Sequence, residues 1–445
     1  MLAEQKLRKI TAPSQEFLFP EMERDSRFEA AQTDVSSTFA DNMRLPIHRW
    51  YRYTAGFSAE WVGELLERET ARGHVNVIDP FAGSGTVLVE GLRHNVSAVG
   101  LEANPYVYRI ARAKLSWANL ETDAIRACAG RLVSDAEHGG GELEGYPELV
   151  RRCFRDDVLA KLDLLKKSVL QIGDETMRNF AWFLVTSILR STSHVGTAQW
   201  QYIQPRKSKA KVADPLRALE EKVVEVLSDI AAMRPKIRQS ATAQVIFEDS
   251  REVHSIPPGW GDLVITSPPY ANNYDYADAM RLEMLFWGDA ATWDDIQQKV
   301  TPKLVRACTQ HVAALKESAE RLLESPLLAP IGREIAEKFS SLAAERAEHG
   351  GKKNYHLMVA AYFYDLARVF ESLSRVTKDK CKVCFVIGDS APYGIYIPVD
   401  EWLGRLAIAS GFRDFHFEKT RDRNVKWKNR KHRVPLKEGR LWISK

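Results

Sequence analysis

The chain has 445 residues, of which 45% are hydrophobic and 27% charged, with 11 tryptophans. That length allows roughly three domains of about 150 residues, and the apolar share supplies a large core and excludes a disordered chain. The formal net charge of +4 excludes a histone-like polycation but does not report on a local basic face.

Five cysteines, sparse and odd in number, argue against a disulfide framework and for a reducing compartment. The opening MLAEQKLRKITAPSQ lacks the apolar h-region of a signal peptide. No stretch approaches the roughly 18 apolar residues of a spanning helix. The expectation is a cytoplasmic protein with no membrane association.

In chain order, residues 1–40 are polar and mixed in charge and read as an irregular N-terminal arm. NMRLPIHRWYRYTAGFS (42–58) is aromatic and basic, and Glu60 to Arg68 reads as a short amphipathic helix with Trp61, Leu65 and Leu66 on one face. VNVID (75–79) is β-rich and apolar, hence a buried strand. PFAGSG (80–85) is a tight turn, TVLVEGLRHN (86–95) a helix, and SAVGLEANP (97–105) a second strand closing on Glu102. Together they form one βαβ unit.

A largely helical stretch runs from about 106 to 240, clearest at 177–191 and 215–233. Between those helices QWQYIQPRKSKAK (199–211) shows no periodicity. Strands resume at AQVIFEDS (243–250), which ends in acids, and GDLVITSPPY (261–270). A second helical stretch covers 277–375, followed by a strand (382–390), a helix (399–412) and a terminal strand (439–445). The expected fold is α/β, with a Rossmann-like sheet built from 41–110, 241–276 and 376–445 and two large helical insertions, 111–240 and 277–375.

DPFAGSGT (79–86) follows a strand and opens a helix, so its glycines can bring backbone close to a ligand. It lacks the lysine of a P-loop and is shorter than the G-x-G-x-x-G fingerprint. Glu102 closes the second strand about 20 residues later, where Rossmann-like folds hold a ribose diol. Asp249, ending the next strand, can accept from an adenine amino group. Asp79, Glu102 and Asp249 outline an adenosine site at the carboxyl edge of the sheet, although each alone also fits a solvated loop carboxylate.

TSPPY (266–270) ends a buried strand. Two prolines remove backbone donors and leave carbonyls rigidly aimed. Ser267 adds a hydroxyl and Tyr270 a flat ring, which suits a planar group bearing an NH₂.

In combination, DPFAGSGT and SPPY resemble the S-adenosylmethionine-dependent amino methyltransferases of DNA. The resemblance covers the sheet strands, about half the chain, and implies a methyltransferase sheet. It implies that Asp79, Pro80, Phe81, Gly83, Gly85, Thr86, Glu102 and Asp249 bind the cofactor, and that Ser267, Pro268, Pro269 and Tyr270 are catalytic. The serine form resembles the cytosine-N4 branch, an aspartate or asparagine form being the usual adenine-N6 signature. The cofactor motif precedes the catalytic motif here, the reverse of several cytosine-N4 relatives. HRWYRYTAGFS (48–58) resembles the N-terminal cofactor motif, with Gly56 and Phe57 enclosing the methionine end, and fits an aromatic packing segment equally well.

The resemblance implies a flipped base, stacked on Tyr270, whose amino group donates to Ser267 and the Pro268 carbonyl before direct methyl transfer. No cysteine nucleophile is required, and Cys128, Cys153, Cys308, Cys381 and Cys384 include no Pro-Cys pair. Cys381 and Cys384 lack the second pair of a zinc site, so no metal is expected. The partners implied are double-stranded DNA and a cognate restriction or phage-defence component. Adenine-N6 methylation, RNA amino methylation and a non-catalytic nucleic-acid-binding subunit stay open as alternatives.

Residues 205–211 and 419–433 hold 12 Lys/Arg against one Asp, leaving the rest of the chain mildly acidic. Arg206, Lys207, Lys209, Lys426, Lys428, Arg430 and Lys431 are the expected phosphate contacts. Gln199, Gln201 and Gln204 are candidate base readers, which makes 111–240 the candidate DNA-recognition region. Asn272, Tyr274 and Asp275 fit either a base pocket or a loop before a helix capped by Asp278. Arg281-Leu282-Glu283 fits either a buried ion pair or a cofactor contact.

Overall fold

The computed structural model describes residues 39–73, 76–197, 202–237, 241–317, 319–423 and 435–445. Four short apolar runs become strands β1 (Asn76–Asp79), β2 (Ser97–Leu101), β3 (Ala243–Ile246) and β4 (Gly261–Thr266). The longer β5 (Thr377–Gly388) joins them, and all neighbouring pairs in the order β3-β2-β1-β4-β5 are parallel. The sheet is completed by β6 (Asp414–Arg423) and β7 (Leu436–Ser444), with β7 antiparallel to both β5 and β6. The protein is therefore mixed α/β around a mostly parallel seven-stranded sheet of order β3-β2-β1-β4-β5-β7-β6.

That order has a consequence for binding. The chain moves outward from β1 through β2 to β3, then returns to β4 on the other side of β1. The loops after β1 and β4 thus diverge, opening a crevice at the carboxyl ends of those strands.

Helix boundaries follow local chemistry. α1 (Ala59–Thr70) starts where the Ser58 hydroxyl accepts from the Trp61 amide, and α2 (Thr86–Arg93) starts at the glycine turn. α3 (Pro105–Leu115) is capped by Asn104, whose side-chain oxygen accepts from the Tyr106 and Val107 amides, with Pro105 at the first position. After it come α4 (Thr122–Glu137), α5 (Asp156–Leu170), α6 (Glu175–Thr192) and α7 (Pro215–Met233). Asp214 and Pro215 repeat the Asn-Pro device at the start of α7. α8 (Arg281–Trp287), α9 (Gly332–Glu348), α10 (Tyr355–Val376) and α11 (Val399–Ala409) complete the helices that matter here.

α10 lies in the core, buried along most of its length. Phe370 stacks on Phe385 of β5 at 5.2 Å, and Phe363 meets Trp402 of α11 edge-on at 4.9 Å. Fully burying each such ring contributes about 1.5–3 kcal/mol. No helix among the described residues is long and apolar enough to cross a membrane.

Three features differ from the sequence expectation. β6 occupies 414–423, so Lys419, Arg421 and Arg423 of the basic segment belong to an edge strand. Its alternation is masked because both faces carry charge, as suits a sheet edge. β5 begins five residues before the expected 382, since α10 runs into it without a turn residue. Finally, Val195–Thr197 and Ile203–Ser208 pair as a separate antiparallel hairpin where no element was expected.

Candidate functional site

The turn after β1 is built by two left-handed glycines, Gly83 (φ +53°) and Gly85 (φ +83°). A Cβ at Gly83 would lie 2.9 Å from the Tyr53 ring, so this position is closed to larger residues sterically as well as conformationally. Asp79 is wholly buried behind the turn. Its Oδ1 accepts from the Thr266 hydroxyl at 2.6 Å and the Phe81 amide at 3.1 Å. It thereby ties the end of β1 to the end of β4, next to Ser267. Its Oδ2 has no hydrogen-bond partner among the described residues, and burial pushes its carboxyl up to about 7.

Glu102 follows β2 and faces the crevice. Its Oε2 accepts from the Gly83 amide at 2.9 Å and its Oε1 from the Asn104 amide at 2.8 Å, so it braces the glycine turn. Burial pushes this carboxyl also up to about 7. Asp249 lies beyond β3, and both its oxygens are engaged by the Arg251 guanidinium, at 2.6 Å (Nη2–Oδ2) and 3.0 Å (Nε–Oδ1).

After β4, the Ser267 hydroxyl donates to the Val386 carbonyl of β5 at 3.2 Å. That leaves the oxygen lone pairs as acceptors. The Tyr270 amide donates to the Tyr276 hydroxyl at 3.2 Å, and the Arg423 guanidinium lies 5.3 Å from the centre of the Tyr270 ring. Burial raises the Tyr270 hydroxyl, which keeps it a neutral phenol.

These turns line one cleft. It brings together Phe57, Pro80, Phe81, Gly83, Thr86, Glu102 and Asp249 with Ser267 and Pro269. Asp79, Gly85, Pro268 and Tyr270, also expected at the site, are not among its lining residues. The cleft also includes Tyr53, Asn104, Tyr276 and Lys303–Val305, which sequence reasoning did not single out. Tyr53 lay in the flagged aromatic segment, and the Asn104-Pro105 pair carries a capping signal. Lys303–Val305 come from a stretch with no local motif.

The segment before α1 forms the cleft's far wall, and it is held from two directions. The Asn42 side chain donates to the Phe57 carbonyl at 2.8 Å and accepts from the Ala59 amide at 2.9 Å. Asp229 of α7 accepts from the Ile47 amide and the Trp50 indole, each at 2.9 Å, and from Arg49 at 2.5 Å. These bonds sustain Ile47 at φ +67°, a strained setting for a β-branched residue.

Asp275, rather than Asp278, caps the turn that leads into α8. Its Oδ1 accepts from the Ala277 and Asp278 amides, each at 3.0 Å. Asp275, Cys308 and His311 place one potential ligand atom each within 4.8 Å of one another. The capping bonds and the His311 Nε2 contact at 3.3 Å already engage Asp275, so the cluster acts as a lock on the loop after Tyr270. Glu283 forms a buried ion pair with Arg190 of α6, at 2.5 Å and 3.0 Å. Cys381 and Cys384 are buried and free, and burial pushes the Cys381 thiol up to about 12.

Arg206 and Lys207 are exposed on the hairpin strand. Lys209 is not available in the same way: its ammonium donates to the Arg190 carbonyl near the end of α6. Arg421 and Arg423 both face the buried Glu438, at 2.7 Å and 3.6 Å. Lys426, Lys428, Arg430 and Lys431, with Gln199 and Gln201, lie outside the described residues.

No family model matches the chain. It is 24% identical over 425 residues to the type II methyltransferase M.BsoBI of Geobacillus stearothermophilus, covering 84% of this chain and 80% of that protein. It is 24% identical over 408 residues to the type II methyltransferase M.AvaI of Nostoc sp. strain PCC 7120, covering 84% and 81%. To the type II methyltransferase M.MvaI of Kocuria varians it is 21% identical over 398 residues, covering 82% of each. Over most of its length, then, the chain is similar to type II methyltransferases.

Proposed function

We propose that this chain is an S-adenosylmethionine-dependent DNA methyltransferase of a restriction-modification or defence system, acting on the N4 amino group of cytosine. The observation that carries the reading is that the glycine turn after β1 and the Ser-Pro-Pro turn after β4 line the same cleft. The similarity to type II methyltransferases supports it independently. The expected helical segments 111–240 and 277–375 would add DNA recognition and a further wall to the catalytic sheet.

The residues present fit the cofactor. The Gly83 cradle admits no side chain, Glu102 offers carboxylate lone pairs to a ribose diol, and Phe57 and Phe81 supply apolar walls. When bound, the cofactor supplies an electrophilic methyl group on a sulfonium centre. Asp249, neutralised by Arg251, retains carboxylate lone pairs for an adenine amino group.

The chain's own contribution is positioning. The Val386 carbonyl fixes the Ser267 hydroxyl, whose oxygen accepts from the target amino group. The rigid Pro268 carbonyl accepts the second hydrogen. Together these bonds draw the nitrogen lone pair out of the ring and toward the methyl group. Tyr270 stacks on the extruded base, an interaction worth about 1–3 kcal/mol. Arg206 and Lys207, exposed on the hairpin strand, would meet phosphates, and Lys426, Lys428, Arg430 and Lys431 would add their charge to the same role.

The test is mass spectrometry of nucleosides from duplex DNA incubated with the protein and S-adenosylmethionine. N4-methylcytosine is expected. N6-methyladenine alone would move the activity to adenine, and methyl incorporation into structured RNA but not duplex DNA would move it to RNA.

A further inference from the structure

A second, smaller cavity adjoins the cleft. The two share Tyr53, Gly56, Ser84 and Thr86, and the smaller one reaches His48 and Lys114. Lys114, in the last turn of α3, is only 1% exposed. Its ammonium has no hydrogen-bond or ion-pair partner among the described residues. An ammonium carries three donors, and leaving them unmet in a protein interior is costly.

The nearby acid is already occupied. Glu90 of α2 accepts from His48 Nε2 at 2.6 Å and Arg93 Nη1 at 2.7 Å, and His94 Nε2 lies 3.3 Å away. Lys114 therefore feels Glu90 only at longer range, and burial lowers its ammonium to about 7. His48 is held below its usual range by burial, so it adds no firm charge of its own.

The same cavity is lined by Ser84 and Thr86, at the start of α2. The residue that caps this helix is Gly85, which has no side chain to meet the first-turn amides. Those amides and the positive end of the helix dipole attract an anion. A buried cation and an open helix N-terminus that line one cavity define an anion site. Because it opens onto the cleft, its natural occupant is a carboxylate carried on a short arm of the cleft's ligand.

We propose that Lys114, with the first turn of α2, binds the α-carboxylate on the amino-acid arm of the S-adenosyl cofactor. This rests on the cofactor reading given above. The carboxylate would satisfy the ammonium donors and hold Lys114 in its charged form. It would also fix the reach of the sulfonium methyl toward Ser267.

Calorimetric binding of S-adenosylhomocysteine and of its decarboxylated analogue tests the proposal without turnover. Wild-type protein is expected to prefer the carboxylate form by about 10–100-fold, the range for a hydrogen bond to a charged group. In Lys114→Met that preference should fall below about threefold, while affinity for the decarboxylated analogue is unchanged, and Lys114→Arg should restore part of it. A preference that survives Lys114→Met overturns the proposal. So does an equal loss for both ligands, which marks a merely structural lysine. If the variants fail to fold, a crystal structure of the wild-type complex with S-adenosylhomocysteine decides: a carboxylate beyond hydrogen-bond reach of Lys114 Nζ overturns it. Wild-type protein that binds the decarboxylated analogue as tightly as S-adenosylhomocysteine refutes the anion site alone. Binding of neither ligand refutes the cofactor reading as well.

Discussion

Asp79→Asn should make the protein's stability less sensitive to pH. Asp79 is wholly buried, and its carboxyl sits at about 7 instead of the ordinary 3.8. The folded chain therefore keeps this proton over a range where the unfolded chain has released it. The unfolded state binds fewer protons there, so the free energy of unfolding falls as pH rises from about 4 to 7. A displacement of that size, at 1.36 kcal/mol for each pH unit, amounts to about 4 kcal/mol once both states are ionised. The amide substitute keeps the oxygen that accepts from Thr266 and Phe81. It puts an NH₂ where Oδ2 now lacks a partner, and that cost is independent of pH. Urea unfolding of both proteins from pH 5 to 8 should show the difference (variant minus wild type) rising by about 2–3 kcal/mol. Other raised acids titrate in both proteins and cancel, apart from Glu102, which Asp79 itself helps to raise. Losing that repulsion also favours the variant at higher pH. Parallel curves over the whole range would refute the buried-carboxyl account.

Tyr270→Ala should lower kcat/KM for methyl transfer to duplex DNA by about 5–150-fold, the equivalent of one lost stacking contact, while S-adenosylhomocysteine affinity by calorimetry stays the same. Arg206→Ala and Lys207→Ala should each weaken binding to unrelated DNA sequences alike and reduce the slope of log affinity against log salt by about one. Arg190→Ala, which strands the buried Glu283, should cost about 3–5 kcal/mol in chemical unfolding.

The parallel half of the sheet was readable because each buried strand is an apolar run bounded by turn residues. NVID before PFAGSG and LVIT before SPPY announce both the strand and its functional end. β6 was not readable, because DFHFEKTRDR carries charge on both faces and its strand identity comes from pairing with β7. The same pairing explains why Arg421 and Arg423 face Glu438, a partner 15 or more positions away that no local pattern reveals. Of the residues that line the cleft, those in contiguous motifs were legible in the sequence, and those brought there by tertiary approach were not. Tyr276 is set by its bond to the Tyr270 amide, and Lys303–Val305 by the packing of a motif-free stretch. Asp79 shows the limit of motif reading from another side. Its position in DPFAGSGT suggests a ligand contact, yet its geometry is that of a brace between two strand ends.

The helical stretches cannot be treated as additions to an independent catalytic unit. The wall formed by residues 42–58 depends on Asp229 of α7, which holds Ile47 in a backbone conformation it would otherwise leave. The loop after Tyr270 depends on His311 beside Asp275, and on Arg190 of α6, which anchors α8 through Glu283 and the Ala279 carbonyl. Part of the cleft itself is Lys303–Val305. Removing either stretch would release an edge of the cleft, and removing 277–375 would also take away most of α10, which packs against β5 in the core. The two motifs thus supply the chemistry, and chain distant from both fixes the enclosure in which that chemistry has a defined geometry.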